Sequence, residues 1–185
     1  MLQAVLERGA YLLDIGAYDG ITFSNSLALI EFGWHGVLVE PSPIPFDALL
    51  KRHGRNEHLH LVHSLVGVEP KPFVPVWFTD DAVSTTEKSN HDHWADYANY
   101  NPQCAVPQVT IPEILQHFAL NPQFVNIDTE GTSVALFKSY PFDTSKPMCF
   151  AVEIDGDWRD LAAFADSKGY SVVYRNAENL VLVRR

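Results

Sequence analysis

Tyr11-Leu-Leu-Asp-Ile-Gly-Ala-Tyr-Asp-Gly20 decides the fold of this 185-residue chain. Its first half, Tyr11 to Ile15, is apolar apart from Asp14 and too short for a helix, so it reads as a buried strand. Its second half carries Gly16 and Gly20, which let a backbone turn sharply and approach a ligand closely. A helix is expected next, over Thr22 to Phe32, with Phe23, Leu27 and Ile30 at helical spacing and Gly33 as its stop. The next apolar run, Gly36-Val-Leu-Val-Glu40, reads as a second strand ending in an acid. Strand, glycine turn, helix and strand in that order begin a doubly wound α/β sheet.

The same alternation continues along the chain. Pro43 to His53 is a helix opened by Ser42 as N-cap and by proline at its first position. His58 to His63 is a third strand in which histidines alternate with apolar residues, and Val74 to Thr79 is a further strand. Ile111 to Phe118 is a short helix, Phe124 to Asp128 a strand, Thr132 to Ser139 a helix and Met148 to Ile154 a strand. Trp158 to Ser167 is a helix stopped by Gly169, and Tyr170 to Tyr174 pairs with Leu180 to Val183 across Asn176-Ala-Glu-Asn179. The expected fold is Rossmann-like: a roughly seven-stranded, mostly parallel sheet with a C-terminal antiparallel hairpin and helices on both faces. Residues 1–185 form one domain in this reading, with a polar, turn-rich loop or insertion at about 80–107.

Composition narrows the partners. Hydrophobic residues make up 46% and charged residues 19%, which suits a compact globule. The formal net charge of −10 opposes a phosphate backbone, so a nucleic-acid partner is disfavoured. The densest basic cluster, Lys51, Arg52 and Arg55, reads as a solvated helix face. Cys104 and Cys149 form no CxxC or metal-ligand pattern, which points to a reducing compartment without disulfides. Met1 to Ala10 lacks the apolar core and cleavage site of a signal peptide, and no apolar run approaches the ~20 residues of a membrane span. The expectation is a soluble, cytoplasmic protein.

Asp14, Gly16, Ala17, Tyr18, Asp19 and Gly20, together with Glu40, Pro41 and Ser42, form the candidate cofactor site. Glu40 lies 20 residues after Gly20 at the end of the second strand, which suits an acid accepting both ribose hydroxyls of an adenosine cofactor. Charge selects the cofactor. A dinucleotide needs uncharged backbone amides facing its pyrophosphate, and Asp14 and Asp19 repel it. S-adenosylmethionine carries an ammonium and a sulfonium, which carboxylates attract. The bland alternative is a tight turn with no ligand.

These motifs resemble those of the FkbM family of methyltransferases. The likeness covers residues 11 to 155 and rests on Asp14 to Gly20 with Ser24-Asn-Ser26, and on Gly33-Trp-His-Gly-Val-Leu-Val-Glu-Pro-Ser-Pro43. It rests further on Phe124-Val-Asn-Ile-Asp-Thr-Glu-Gly131 with Val134-Ala-Leu136, and on Ala151-Val-Glu153. The resemblance implies a class I methyltransferase fold, S-adenosylmethionine as cofactor, and O-methylation of a sugar, glycan or secondary-metabolite hydroxyl. The chain departs from the family in having little before its first strand.

Three carboxylates are the catalytic candidates. Asp128 ends the strand expected beside the first one, where ligands of open α/β sheets lie. Glu130 orients the acceptor or stabilises the next helix start through its macrodipole. Glu153, in an apolar strand, is either functional or paired. No metal is expected, because His91-Asp-His93 lacks further ligands at a telling spacing. His63 is a surface histidine or approaches the adenine end. Trp77, Trp94, Tyr97 and Tyr100 are a sugar-stacking surface or loop packing. Competing readings are an NAD(P)-dependent oxidoreductase, disfavoured by Asp19, and a catalytically silent cofactor- or partner-binding domain.

Overall fold

The computed structural model describes residues 9–76 and 104–185. Two runs dominate it: strands β1 (Tyr11–Ile15) and β2 (His35–Val39), each buried over its last four residues. Their apolar residues divide between two cores. Leu13, Ile15, Val37 and Val39 face one cluster, with Phe137, Phe150 and Tyr170. Leu12 and Leu38 face the other, with Trp34 and Leu49. A strand buried on both faces must be apolar at nearly every position, which is why these runs were readable.

Helix α1 (Leu27–Glu31) joins β1 to β2, and α2 (Pro43–His53) leads to β3 (Leu59–Val62). After a small second sheet come α3 (Ile111–His117), β7 (Phe124–Ile127), α4 (Ser133–Ser139), β8 (Cys149–Glu153) and α5 (Trp158–Ser167). The hairpin β9 (Tyr170–Arg175) and β10 (Asn179–Arg184) closes the large sheet. Its seven strands run in the order β3-β2-β1-β7-β8-β10-β9. β10 is antiparallel to both of its neighbours, and the other pairings are parallel. The expected Rossmann-like α/β architecture with its antiparallel hairpin is therefore present. Helix starts follow local chemistry: Thr110 and Glu113 form a capping box before α3, and the Asp157 side chain accepts the Arg159 amide before α5.

Two sequence expectations need correction. The helix expected over Thr22 to Phe32 is only α1, Leu27–Glu31. Side chains capture the preceding backbone: Asp19 Oδ1 accepts the amides of Ile21 and Thr22 at 2.8 and 2.7 Å, and Ser24 Oγ accepts those of Ser26 and Leu27 at 3.3 and 3.0 Å. Phe23 sits at φ 55°, outside the helical region. Short polar side chains offered the backbone an alternative to the helix and won.

The second correction is a three-stranded sheet of order β4-β6-β5, built from β4 (Leu65–Val66), β5 (Lys71–Val76) and β6 (Cys104–Val109). The strand expected over Val74 to Thr79 begins earlier, at Lys71, as β5, and part of the supposed 80–107 loop is β6. Pro72, Pro75 and Pro107 lie inside these strands and break the pattern that marks a ladder, and a register shift between Lys71 and Val74 accommodates the first. His91, His93, Trp77, Trp94, Tyr97 and Tyr100 lie outside the described residues. Cys149 is a free thiol, pushed up to about 11 by burial. Among the described residues no helix is long and apolar enough to cross a membrane.

Candidate functional site

The carboxyl ends of β1, β2, β7 and β8 open into a cavity of about 740 Å³, within the range of small-molecule sites. Of the residues predicted to hold a cofactor, Asp14, Gly16, Ala17, Tyr18, Glu40, Pro41 and Ser42 line it. So do Asp128, Glu130 and Glu153. Asp19 and Gly20 do not.

The turn after β1 is closed by its own amides. Gly16 and Ala17 both donate to the Val39 carbonyl at 3.0 Å, and Gly20 donates to Ala17 at 2.9 Å. The Tyr18 amide donates to Glu40 Oε2 at 2.9 Å. Gly16 has φ +82°, and a Cβ there would lie 1.6 Å from the Asp128 carbonyl oxygen, so no side chain fits between β1 and β7. Gly20 serves packing, since a Cβ there would press on Leu49 and His53 of α2.

This geometry replaces the charge argument based on Asp19. That carboxylate turns back into its own loop, accepting the Ile21 and Thr22 amides and the Thr22 hydroxyl. Against the opposing effect of partial burial, these bonds hold it below the usual carboxylate range. A stronger objection to a dinucleotide emerges instead. The amides of Gly16, Ala17, Tyr18 and Gly20 are already engaged, and α1 begins only at Leu27, so these four amides do not face a pyrophosphate and no helix N-terminus follows the turn directly.

Glu40 is 5% exposed at the end of β2. Its Oε1 accepts the Ser42 amide at 2.7 Å and its Oε2 the Tyr18 amide at 2.9 Å. Burial, helped by the charge of Asp14, pushes it up to about 6 against these hydrogen bonds. The Ser42 hydroxyl also hydrogen-bonds this carboxylate, which leaves acceptor capacity for a ligand hydroxyl beyond these three donors. Asp14 is committed differently. It accepts Asn126 Nδ2 at 2.8 Å on one oxygen and the Ser26 hydroxyl on the other, and burial raises its pKa. Asn25 Nδ2 in turn donates to Asn126 Oδ1 at 3.0 Å. Asp14 thus ties β1 to β7 and to the Ser24-Asn-Ser26 loop. Within that loop Phe23 lines the cavity yet is 89% exposed. A left-handed backbone at a bulky residue costs about 1–2 kcal/mol.

The turn after β7 is built on one carboxylate. Glu153 Oε2 accepts the Thr129 amide at 3.2 Å, the Glu130 amide at 2.9 Å and the Ser133 hydroxyl at 2.7 Å. Glu130 and Gly131 follow each other in left-handed conformations, φ 52° and 103°. Asp128 is pushed up to about 7, first by burial and then by the charges of Glu153, Asp14 and Glu178. A carboxyl so poised titrates near neutral pH, as a general base should.

Sequence reasoning missed the hairpin's contribution. Glu178 and Asn179 line the cavity, and Asn179 pairs with Glu153 in the β8–β10 register. Asn179 Oδ1 is buried without a hydrogen-bond donor. The acid at 178 and the amide at 179 had been read as turn chemistry. His63 stacks on Phe46 at 4.6 Å and hydrogen-bonds the Pro41 carbonyl at 2.9 Å, so it braces the loop after β2. The expectation of no metal rested on the lack of a ligand cluster, and the fold supplies one: carboxylate oxygens of Asp128, Glu130 and Glu153 lie within 4.8 Å of one another.

The chain matches the methyltransferase FkbM domain over residues 14–172 and belongs to that family. No curated protein matches the sequence. Among solved structures, the FkbM methyltransferase of Methylobacillus flagellatus KT superposes with a TM-score of 0.65 at 16% identity, covering 95% of this chain and 43% of that one. The chain therefore spans less than half the length of that relative. The precorrin-6y C5,15-methyltransferase of Geobacter metallireducens gives 0.53 at 12% identity, covering 99% and 86%. A Pyrococcus horikoshii protein assigned by inference as an RNA methyltransferase gives 0.51 at 11%, covering 96% and 74%. At such identities the likeness establishes the fold, that of Rossmann-like methyltransferases.

Proposed function

We propose that this chain, acting as a single domain, binds S-adenosylmethionine and transfers its methyl group to a hydroxyl of a sugar, glycan or other small molecule. The observation that carries the reading is the pairing of Glu40 and Asp128 at the carboxyl ends of β2 and β7, on one cavity. The residues fit the cofactor. Beyond the Tyr18 and Ser42 donors, Glu40 keeps acceptor capacity for a ribose hydroxyl, and the Gly16 to Tyr18 turn lies beside it. Pro41 and Ser42 extend that wall. Asp14 holds the wall's shape through Asn126 and Ser26.

S-adenosylmethionine supplies a methyl group on a sulfonium, which is activated without further help. The protein's tasks are alignment and removal of the hydroxyl proton. With the cofactor bound, its methyl–sulfur bond would break toward the acceptor oxygen and leave S-adenosylhomocysteine, and Asp128 would hold the acceptor hydroxyl and take its proton on a carboxylate oxygen. Glu153 fixes the turn carrying Asp128, and Glu130 borders the acceptor. An RNA acceptor is disfavoured by the net charge of −10 and the acidic cavity lining.

Calorimetric titration with S-adenosylmethionine and with NADH tests the cofactor, and release of S-adenosylhomocysteine in the presence of hydroxyl compounds tests the reaction. Tight binding of NADH without binding of S-adenosylmethionine would overturn the proposal.

A further inference from the structure

We infer that Phe23 is the platform on which the methyl acceptor lies, and that the acceptor is a ring compound with one flat apolar face and a hydroxyl at its edge. The inference rests on the methyltransferase reading above and assigns the acceptor-recognising residue of the same site.

Phe23 carries two costs that folding does not recover. Its side chain is 89% exposed, and its backbone is left-handed at φ 55°. A bulky aromatic residue rarely adopts that conformation, and one in open solvent gains no packing in return. The loop nevertheless holds it firmly. On one side Asp19 takes the Ile21 and Thr22 amides and the Thr22 hydroxyl. On the other, Ser24 takes the Ser26 and Leu27 amides, while Asn25 is tied to Asn126 and Ser26 to Asp14. The ring is thus presented at the cavity it lines rather than left to collapse onto the core.

The cavity's chemistry is divided in a matching way. Asp128 and Glu178 gather carboxylate acceptors at the strand ends. Phe23, with Val68 at 60% exposure on the same cavity, supplies apolar surface. A molecule that satisfies both has hydroxyls on its rim and C–H bonds or π density on its face. Pyranose and aromatic rings share that chemistry, and stacking on an aromatic side chain is its usual recognition.

The test compares the parent protein with Phe23→Ala, Phe23→Trp and Phe23→Asn. Each is assayed for S-adenosylmethionine affinity, for thermal unfolding, and for methyl transfer to methyl pyranosides, to simple phenols, and to glycerol and threitol as ringless hydroxyl compounds. The parent should methylate a ring compound in preference to the ringless ones, and the pyranoside and phenol arms decide which ring. Phe23→Ala should raise the KM for that ring compound about tenfold while Phe23→Trp preserves it. Phe23→Asn, which tolerates the left-handed backbone, should lose the ring preference yet unfold at the same or a higher temperature. Ring preference unchanged in Phe23→Ala overturns the inference. So does a tenfold loss of cofactor affinity in that variant, or a protein that binds S-adenosylmethionine but methylates no ring compound. Failure of the parent to bind S-adenosylmethionine refutes the methyltransferase reading itself.

Discussion

The turns after β1 and β7 sit side by side at the carboxyl end of the sheet and are built in opposite ways. The first, Asp14 to Gly20, is closed by backbone amides donating to Val39, Ala17 and Glu40, and its own acids are turned inward or back on the loop. The second, Asp128 to Gly131, hangs on the single carboxylate of Glu153 and keeps Asp128 near its neutral form. One is a cradle closed by backbone amides, in which shape matters, and the other a turn gathered on a carboxylate, in which protonation matters. Changes to the first should therefore cost folding or binding, and changes to the second should alter rate and pH dependence.

The largest effect is expected at the contact between the two turns. Gly16→Ala forces a Cβ into the Asp128 carbonyl, 1.6 Å away, at a left-handed residue. Denaturant unfolding should show a loss of about 4 kcal/mol or more, or no folded protein at all. A change below about 1 kcal/mol would mean that the turns are not in contact as described.

Next comes Asp128→Asn. Single-turnover methyl transfer should fall by roughly 10²–10⁴, with cofactor affinity nearly unchanged. In the parent the rate should rise with pH and level off above about 7, because only the ionised carboxyl accepts a proton. The linkage to stability has the opposite sense. A carboxyl raised in the folded state binds its proton more tightly there than in the unfolded chain. Its contribution therefore favours folding at low pH and is lost as pH rises from about 4 to about 7. Asp128→Asn should flatten that part of the stability curve. If it weakens cofactor binding and leaves the chemical step intact, Asp128 belongs to the cradle and the contrast collapses.

Glu40→Ala should weaken S-adenosylmethionine binding by about 2–3 kcal/mol in calorimetry, through loss of a charge-assisted pair of hydrogen bonds. Unchanged affinity would remove Glu40 from the cofactor site.

Glu153→Gln keeps the shape of the brace and removes its charge. The rate should fall only about tenfold, and the midpoint of the pH profile should move to lower pH, since Glu153 raises Asp128. A rate loss without that movement would make Glu153 structural only.

The smallest effect is expected from a chelator. Methyl transfer from a sulfonium needs no Lewis acid, so activity should persist in its presence. Loss of activity restored by one divalent ion would give the carboxylate cluster a metal.

The central strands are legible because burial on both faces leaves them few polar positions: Leu12, Leu13, Val37 and Leu38 have no exposed surface at all. Glu40 and Asp128 were found for the same reason, as acids that end such runs. The helix before Leu27 was misread because Phe23 and Leu27 keep helical spacing while Asp19 and Ser24 divert the amides between them. Asp14 is expected at the cofactor, and the fold places it on the cavity with its oxygens accepting from Asn126 and Ser26, partners that sequence alone does not reveal. Glu178 and Asn179 were illegible because only the antiparallel pairing of β10 with β8 sets them against Glu153, and local pattern carries no record of that partner.

That pairing also imposes an order in time. β9 reaches the sheet only through β10, which is made after it and inserts between β8 and β9. During synthesis, which runs from the N-terminus, the cradle at β1 and β2 can form while β8 still has an open edge. Glu178 and Asn179 arrive at the cavity only when residues 179–184 have zipped into place. A ribosome stalled before that point would carry a chain whose cavity lacks Glu178 and Asn179.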